Sequence, residues 1–260
     1  MIYFSNKITK AELENLGSNI KKFILEETDA YTGFTGTIDG IFTIKLSKTL
    51  NPHWQNNLAD FIQYEQLNAT AIILDINEKD YLDALNHNLE FDTTELRDYE
   101  PEILIHSTPL SSWKSIKESG ILKSWNSVKK ENPDFETEPI GAKLGDLEDY
   151  RDYIMFSDGN VMAEVVVASK EKGYIDMDVN ALYTPGARLY LDAKKMAKDG
   201  LLVRDGIHLP KIKNEIQLEK YLIWTCTAAD LNLGEKSTPL EFTTTANKRF
   251  EELFGRKIYS

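Results

Sequence analysis

Cysteine is nearly absent from this chain. Cys226 stands alone among 260 residues, so no disulfide can form within the molecule, and a secreted disulfide scaffold and a cysteine-rich zinc site are both excluded. Long apolar runs are missing too: none approaches the roughly 18–20 residues that a membrane span needs. The first residues, Met-Ile-Tyr-Phe-Ser-Asn-Lys, lack the basic start and apolar stretch of a signal peptide, which makes the cytoplasm the expected compartment. Positive charge is in short supply. The chain has 30 lysines and arginines against 42 aspartates and glutamates, a net of −12. A general phosphate-backbone binder needs the opposite sign, so extended nucleic-acid binding is not expected. Internal repeats, low-complexity tracts, a P-loop and a Gly-x-Ser-x-Gly motif are all lacking. The four histidines, His53, His87, His106 and His208, show no metal-ligand spacing.

What remains is an ordinary globular composition, 42% hydrophobic and 28% charged, with chain enough for one large domain or two small ones. The charge is uneven. Residues 1–100 carry a net of −9 and residues 101–260 a net of −3, while Arg188 to Lys220 is locally +3. That segment leaves room for an anionic small molecule or a single phosphate.

Apolar periodicity outlines the elements. Leu13, Leu16, Ile20, Phe23 and Ile24 predict a helix over residues 10–27. Thr35 to Lys45 reads as strand turned at Asp39-Gly40, a hairpin signal. Trp54 to Tyr64 reads as helix, Ala69 to Ile76 as a buried strand, and Glu78 to Leu89 as helix. The polar, acidic stretch from Glu90 to Glu102 is the expected boundary. It separates an acidic α+β domain, residues 1–100, from a second domain, residues 101–230, and a helical tail, residues 231–260.

In the second part, Ile103-Leu104-Ile105 starts a strand that runs into His106-Ser107-Thr108. A helix from Pro109 to Ser119 follows, with Gly120 just past its end. Lys123 to Asp149 reads as a long polar loop broken by Pro133, Pro139, Gly141 and Gly145. Tyr153 to Ser157, Met162 to Ala168 and Tyr174 to Val179 read as strands, and Pro185-Gly186 as a turn. Arg188 to Leu191 reads as strand, and Asp192 as the cap of a helix from Ala193 to Lys198 that Gly200 ends. Leu201 to Val203, Ile207 to Leu209 and Leu218 to Thr225 read as further strands, and Thr244 to Phe254 as an amphipathic helix. The fold class is α+β. Cys226, near Trp224 in an apolar strand, reads as a core residue.

His106 is the informative histidine. It closes an apolar strand just before a helix start, where unpaired N–H groups favour an anion. The same position also suits a histidine that only fixes a turn. Glu215, Gln217 and Glu219 alternate on one face of a strand, as site residues would and as a half-exposed strand would. Glu215 lies nearest the strand start.

The run Leu104-Ile105-His106-Ser107-Thr108, with Trp113, Ile116, Gly120 and Ile121-Leu122, resembles the opening of the ADP-ribosyltransferase-like fold. Tyr153-Ile154-Met155-Phe156-Ser157-Asp158 resembles the second strand of that family. Leu189-Tyr190-Leu191-Asp192-Ala193, Met196, Asp199-Gly200, Arg204 and Gly206-Ile207-His208-Leu209 are similar to the RNA 2′-phosphotransferase branch, and Lys220-Tyr221-Leu222 to its closing Tyr-Ile. The resemblance covers roughly residues 103–225. It implies a split β-sheet whose cleft binds NAD as a substrate. It implies that His106 bonds a ribose hydroxyl, that backbone at Ser107 holds the nicotinamide amide, and that Thr108, Tyr153 and Ser157 share in binding NAD. Arg204 would contact a phosphate, and Glu215 would be the catalytic carboxylate beside His106 and Arg204. Ser107 stands where the family has Gly, and Met155 where it has an aromatic. The phosphotransferase branch also has a helix after its second strand, where Met162 to Ala168 here reads as strand. The expected function is an NAD-binding transferase of the ADP-ribosyl or 2′-phosphotransferase type with an unknown acceptor. The alternative is a non-catalytic ligand-binding or protein-interaction module on the same fold.

Overall fold

The structure, a computed structural model, describes residues 1–16, 19–89, 92–135, 138–144 and 146–258. Glu90 and Phe91 at the expected boundary, and Gly145 in the expected polar loop, lie outside the described residues. The architecture is mixed α+β. The chain divides into two units: Met1–Asp92 with Val203–His208, and Thr93–Leu202 with Leu209–Ser260.

Unit 1 opens with β1 (Ile2–Phe4) and α1 (Lys10–Asn15). Thr9 starts the helix through a reciprocal capping box with Glu12. The helix expected over 10–27 stops here, and the chain re-enters as β2 (Ile20–Glu26). Ile20, Phe23 and Ile24 fit a helical stripe, but Lys21 and Phe23 are both buried, the two-residue period of a strand. Strand pairing on both flanks of β2 decides the outcome. β3 (Gly33–Ile38) and β4 (Ile41–Ser47) form the expected hairpin, turned by left-handed Asp39 at φ 51° and Gly40 at φ 80°.

α2 (Trp54–Leu67) leads to β5 (Ala71–Asp75), and Asn77 caps α3 (Glu78–Asn88). The sheet order is β1-β5-β2-β4-β3, with every pair parallel except β3–β4. Phe23, Ile44, Ile72 and Leu74 pack against Leu58, Phe61 and Ile62 of α2 and Ala84 of α3. Lys21 and Glu65, both buried, pair at 2.6 Å. The segment 203–208 also belongs here. Ile207 packs on this core, and Gly206, at φ 77°, lies so close to α2 that a Cβ would sit 2.0 Å from the Asn57 carbonyl oxygen. The expected strand Ile207 to Leu209 is not formed. Asp205 Oδ1 instead accepts from the amides of Ile207 and His208, each at 2.9 Å, and winds the chain into a turn.

Unit 2 begins with β6 (Ile103–Thr108) and α4 (Leu110–Ser119), closed by left-handed Gly120. β7 (Ile121–Lys123) and α5 (Trp125–Glu131) follow, then 3-10 turns at Ile140–Leu144 and Glu148–Asp152, so the expected loop is largely structured. β8 (Tyr153–Ile154) is shorter than expected, and α6 (Met162–Lys172) replaces the expected strand. Val165, Val166 and Val167 carry strand propensity, yet the buried set is Glu164, Val165, Val167, Ala168 and Ser169, in which Glu164–Ala168 and Val165–Ser169 recur at the four-residue step of a helix. Tyr174 to Val179 forms no strand. Its carboxylates turn the chain locally, Asp176 accepting from the Asp178 amide at 2.9 Å and Asp178 from the Asn180 amide at 2.9 Å.

β9 (Ala187–Asp192) passes directly into α7 (Ala193–Lys198), capped as expected by Asp192, which accepts from the Lys195 amide at 3.0 Å. The expected turn at Pro185-Gly186 is absent. Gly186 is instead a close-approach position, where a Cβ would stand 1.8 Å from the Thr108 carbonyl oxygen. β10 (Leu202–Val203), β11 (Lys211–Lys213), β12 (Glu215–Gln217), α8 (Leu218–Tyr221), β13 (Leu222–Cys226) and α9 (Pro239–Phe254) complete the chain. β6, β9 and β13 form an antiparallel sheet. β8 pairs with β11, and β7 with β12.

Two-residue alternation splits the side chains of this sheet. Leu104, Leu189 and Leu191 face Leu122, Ile154, Ile212 and Ile216 of the two short strand pairs. Ile103, Ile105, Tyr190 and Cys226 face Phe242, Ala246 and Phe250 of α9. α9, in the expected helical tail, thus packs on this face of the sheet through Phe242, Ala246 and Phe250.

Candidate functional site

The segment from Tyr153 to Ser157 joins two strand systems of unit 2, the β8–β11 pairing and the β6–β9–β13 sheet. Its first residues pair with β11, Tyr153 opposite Lys213 and Ile154 opposite Ile212. Its last residue bridges β6: Ser157 N donates to the Ile105 carbonyl at 2.8 Å, and Ile105 N to the Ser157 carbonyl at 2.9 Å. Between these ends the Met155 carbonyl faces His106, 3.1 Å from Nδ1. A carbonyl only accepts, so Nδ1 carries the proton and Nε2 keeps its lone pair. Burial pushes the His106 pKa down to about 4; the Met155 bond opposes this and the positive charge of Lys170 adds to it. His106 is thus a neutral, oriented acceptor at physiological pH. Phe156 meets its ring edge-on, with centroids 6.3 Å apart.

Ser107, on the other face of β6, belongs to a buried network. Its hydroxyl donates to Glu164 of α6, which also accepts from Arg188 Nη1 at 3.1 Å and from Tyr183 at 2.7 Å. Arg188 Nη2 donates to the Gly159 carbonyl at 2.9 Å and to Asn247 Oδ1 at 3.2 Å, and Tyr190 donates to Asn247 Oδ1 at 3.0 Å. Burial, then the Glu164 charge, raises the Tyr183 pKa. Cys226 is fully buried, and burial pushes its thiol up to about 12, which makes it unreactive.

His106, Tyr153 and Ser157 are gathered along the one joining segment. Thr108 is buried at the end of β6. Tyr153 is also buried, with its ring 4.6 Å from the ammonium of the fully buried Lys211, which lies 4.1 Å from the Tyr150 ring as well. Glu215 stands elsewhere. It is exposed on β12, opposite Lys123 of β7 and beyond left-handed Asn214. Arg204 belongs to unit 1, on the turn where Asp205 Oδ2 lies 3.0 Å from His208 Nδ1.

Glu164, Lys170 and Arg188 escaped the sequence reading. A strand assignment for Met162 to Ala168 hid Glu164, and a turn assignment after it hid Lys170. For Arg188 a signal existed, since the alternation Arg188, Leu189, Tyr190, Leu191 puts an arginine on the face of a buried tyrosine. Among the described residues, no group of three or more His, Cys, Asp or Glu side chains could hold a metal ion, and no helix is long and apolar enough to cross a membrane. No family model, no curated protein and no solved structure matches this chain.

Proposed function

We propose that the chain is an NAD-binding transferase of the ADP-ribosyl or 2′-phosphotransferase type, with His106 as its ribose-contacting residue. One observation carries the reading: a neutral imidazole whose Nδ1 is committed to the Met155 carbonyl, so that Nε2 is fixed as an acceptor for a hydroxyl. The donor set fits a ribose, which offers hydroxyl protons and no positive charge to a lone pair. The position of α6 supports the same reading, because the phosphotransferase branch has a helix after its second strand and this chain forms one.

NAD would supply the ribosyl group and a nicotinamide leaving group. The chain contributes orientation. His106 accepts the hydroxyl hydrogen bond, and the Met155 carbonyl prevents ring rotation, so the sugar is held in one pose before bond breaking. A buried neutral imidazole adds no positive charge beside the positive character that develops at the anomeric carbon. The acceptor oxygen bonds to that carbon, the nicotinamide nitrogen takes the electron pair of the broken bond, and the acceptor proton leaves to solvent.

One observation favours a non-catalytic binding module: Glu215, the carboxylate given to the transfer step, is exposed on a strand paired with β7, while His106 lies on β6. Calorimetry with NAD and chromatographic detection of released nicotinamide separate the two readings. Binding between micromolar and millimolar, on the order of −4 to −8 kcal/mol, is expected, with a clear loss in His106→Ala. Turnover that His106→Gln reduces while folding is kept supports the enzyme, since the amide keeps a polar side chain and loses the oriented Nε2 acceptor. Binding without turnover supports the module. Absence of binding by folded protein at millimolar NAD removes both.

A further inference from the structure

β3 (Gly33–Ile38) is an outermost strand of the unit 1 sheet, paired among the described residues with β4 alone. That pairing runs without a bulge from Gly33 opposite Leu46 to Ile38 opposite Ile41. Just before it, Ser47 N donates to the Thr32 carbonyl at 3.0 Å. In an antiparallel pair the bonding direction alternates, so Phe34, Gly36 and Ile38 turn their backbone groups towards β4, and Gly33, Thr35 and Thr37 turn theirs outward. No hydrogen bond among the described residues takes up these outward groups. Gly33, Phe34, Thr35 and Thr37 are exposed, Phe34 by 48%. Edges of this kind are usually blunted by charge, proline or a bulge, because a bare row of N–H and C=O groups invites a further strand. β3 has none of the three.

We propose that β3 pairs with β3 of a second copy of this chain, antiparallel about a two-fold axis at Thr35. The segment complements itself in that register. Thr35 faces Thr35 of the second copy, Gly33 faces Thr37, and Phe34 faces Gly36. The outward N–H and C=O groups of Gly33, Thr35 and Thr37 are then all bonded, threonine meets threonine at the axis, and no charge faces a like charge. Phe34 supplies the apolar contact. Its ring leans along β3 over Gly36, where a Cβ would stand 2.8 Å from the ring tip. Gly36 is also the residue facing Phe34 of the second copy, so the two rings come side by side across the strands. Such a contact uses the same patch on both copies and closes at two, with the short β1 at each end of the joined sheet. Two forces keep it weak. A strand this short, about 20 Å, buries less than the roughly 1,200–2,000 Å² of a stable interface. Residues 1–100 also carry a net charge of −9, which repels a second copy until salt screens it. A Kd on the order of 100 µM, tightened by salt, is expected. β3 lies in unit 1 and His106 in unit 2, so the pairing does not rest on the NAD reading.

Sedimentation velocity of the full chain, from about 10 µM to about 1 mM and at low and moderate salt, is expected to show a dimer that grows with concentration and with salt. Two variants at the axis test the register. Thr35→Lys and Thr35→Glu each set a charge opposite itself and are expected to weaken the dimer roughly tenfold, while their equimolar mixture, in which lysine faces glutamate, returns to within about threefold of wild type. Thr35 is exposed, and thermal unfolding checks that each variant keeps the fold. Amide exchange followed by NMR gives the residue-level readout: Gly33, Thr35 and Thr37 gain protection on dimerisation, and Phe34, Gly36 and Ile38, already bonded to β4, change little. Wild type that stays monomeric at the highest concentration in both salts overturns the proposal. So does a dimer indifferent to both Thr35 variants, or one that the mixture fails to restore. Monomeric wild type whose outward β3 amides are protected only by an added extended Thr-Lys peptide gives the edge to another chain and overturns self-pairing as well.

Discussion

Arg188 Nη1 donates to Glu164 Oε1 across 3.1 Å, with the two side chains 0% and 1% exposed. The rest of the guanidinium is satisfied as well, Nε by Tyr190 at 3.2 Å and Nη2 by Gly159 and Asn247. A buried ion pair with every donor used holds its surroundings in one arrangement, and here those are β6, α6, β9, α9 and the turn at Gly159. Removing one partner leaves the other charged, buried and unpaired. Arg188→Met is expected to cost about 3–5 kcal/mol in urea unfolding. Combining it with Glu164→Gln is expected to cost less than the sum of the single changes by about 1 kcal/mol or more. Simple additivity would show that the two charges are not coupled.

His106 makes stability depend on pH. Its folded pKa is about 4, below the ordinary value of about 6.5 for an unfolded histidine. Between these values the unfolded chain binds the extra proton, so folding stability falls as pH drops from 6.5 towards 4 and is unaffected by this group above 6.5. The full effect is at most about 3 kcal/mol, less to the extent that water reaches the ring. Urea titrations between pH 4.5 and 7.5 on wild type and His106→Gln measure it. A slope that survives the substitution must come from other groups.

Gly186 sits where β9 begins, against the end of β6. A Cβ there would stand 1.8 Å from the Thr108 carbonyl oxygen and 2.7 Å from its carbon. Backbone cannot swing away as a side chain does, so Gly186→Ala is expected to cost about 1–3 kcal/mol or more. Gly234→Ala is the control, since the nearest atom is at 3.5 Å and the position is exposed. Equal thermal unfolding of the two variants would contradict the close approach.

Phe250 of α9 stacks on Tyr190 of β9 with ring centroids 4.5 Å apart and planes 8° from parallel. Both residues are fully buried. Phe250→Ala is expected to cost about 3–5 kcal/mol, through lost burial and the cavity left behind. Leu253→Ala, on the same helix but 48% exposed, is expected to cost much less. Denaturant midpoints compare them directly.

Much of the fold was legible because its signals act over a few residues. The Asp39-Gly40 hairpin follows from a requirement for left-handed backbone. The Asp192 cap follows from a carboxylate three residues before an amide, and the end of α4 from Gly120. His106 at the close of an apolar strand could be singled out for the same reason. The errors fall where local signals conflict. Residues 10–27 satisfy a helical stripe and a strand alternation at once, and Val165-Val166-Val167 favours strand inside what becomes α6. In both cases the outcome depends on what packs against the segment.

By itself the sequence determined the Asp39-Gly40 turn, the Asp192 cap, the Gly120 helix end, that the molecule is α+β, and that His106 lies in the strand before α4. Each of these depends on backbone torsions or on contacts between near neighbours. Only the tertiary structure decided the partners of the buried charges. Arg188 meets Glu164 across 24 residues, Asn247 across 59 and Ser107 across 81. Burial is what makes such partners necessary, since an exposed arginine needs none, and no local periodicity encodes which distant residue will supply them.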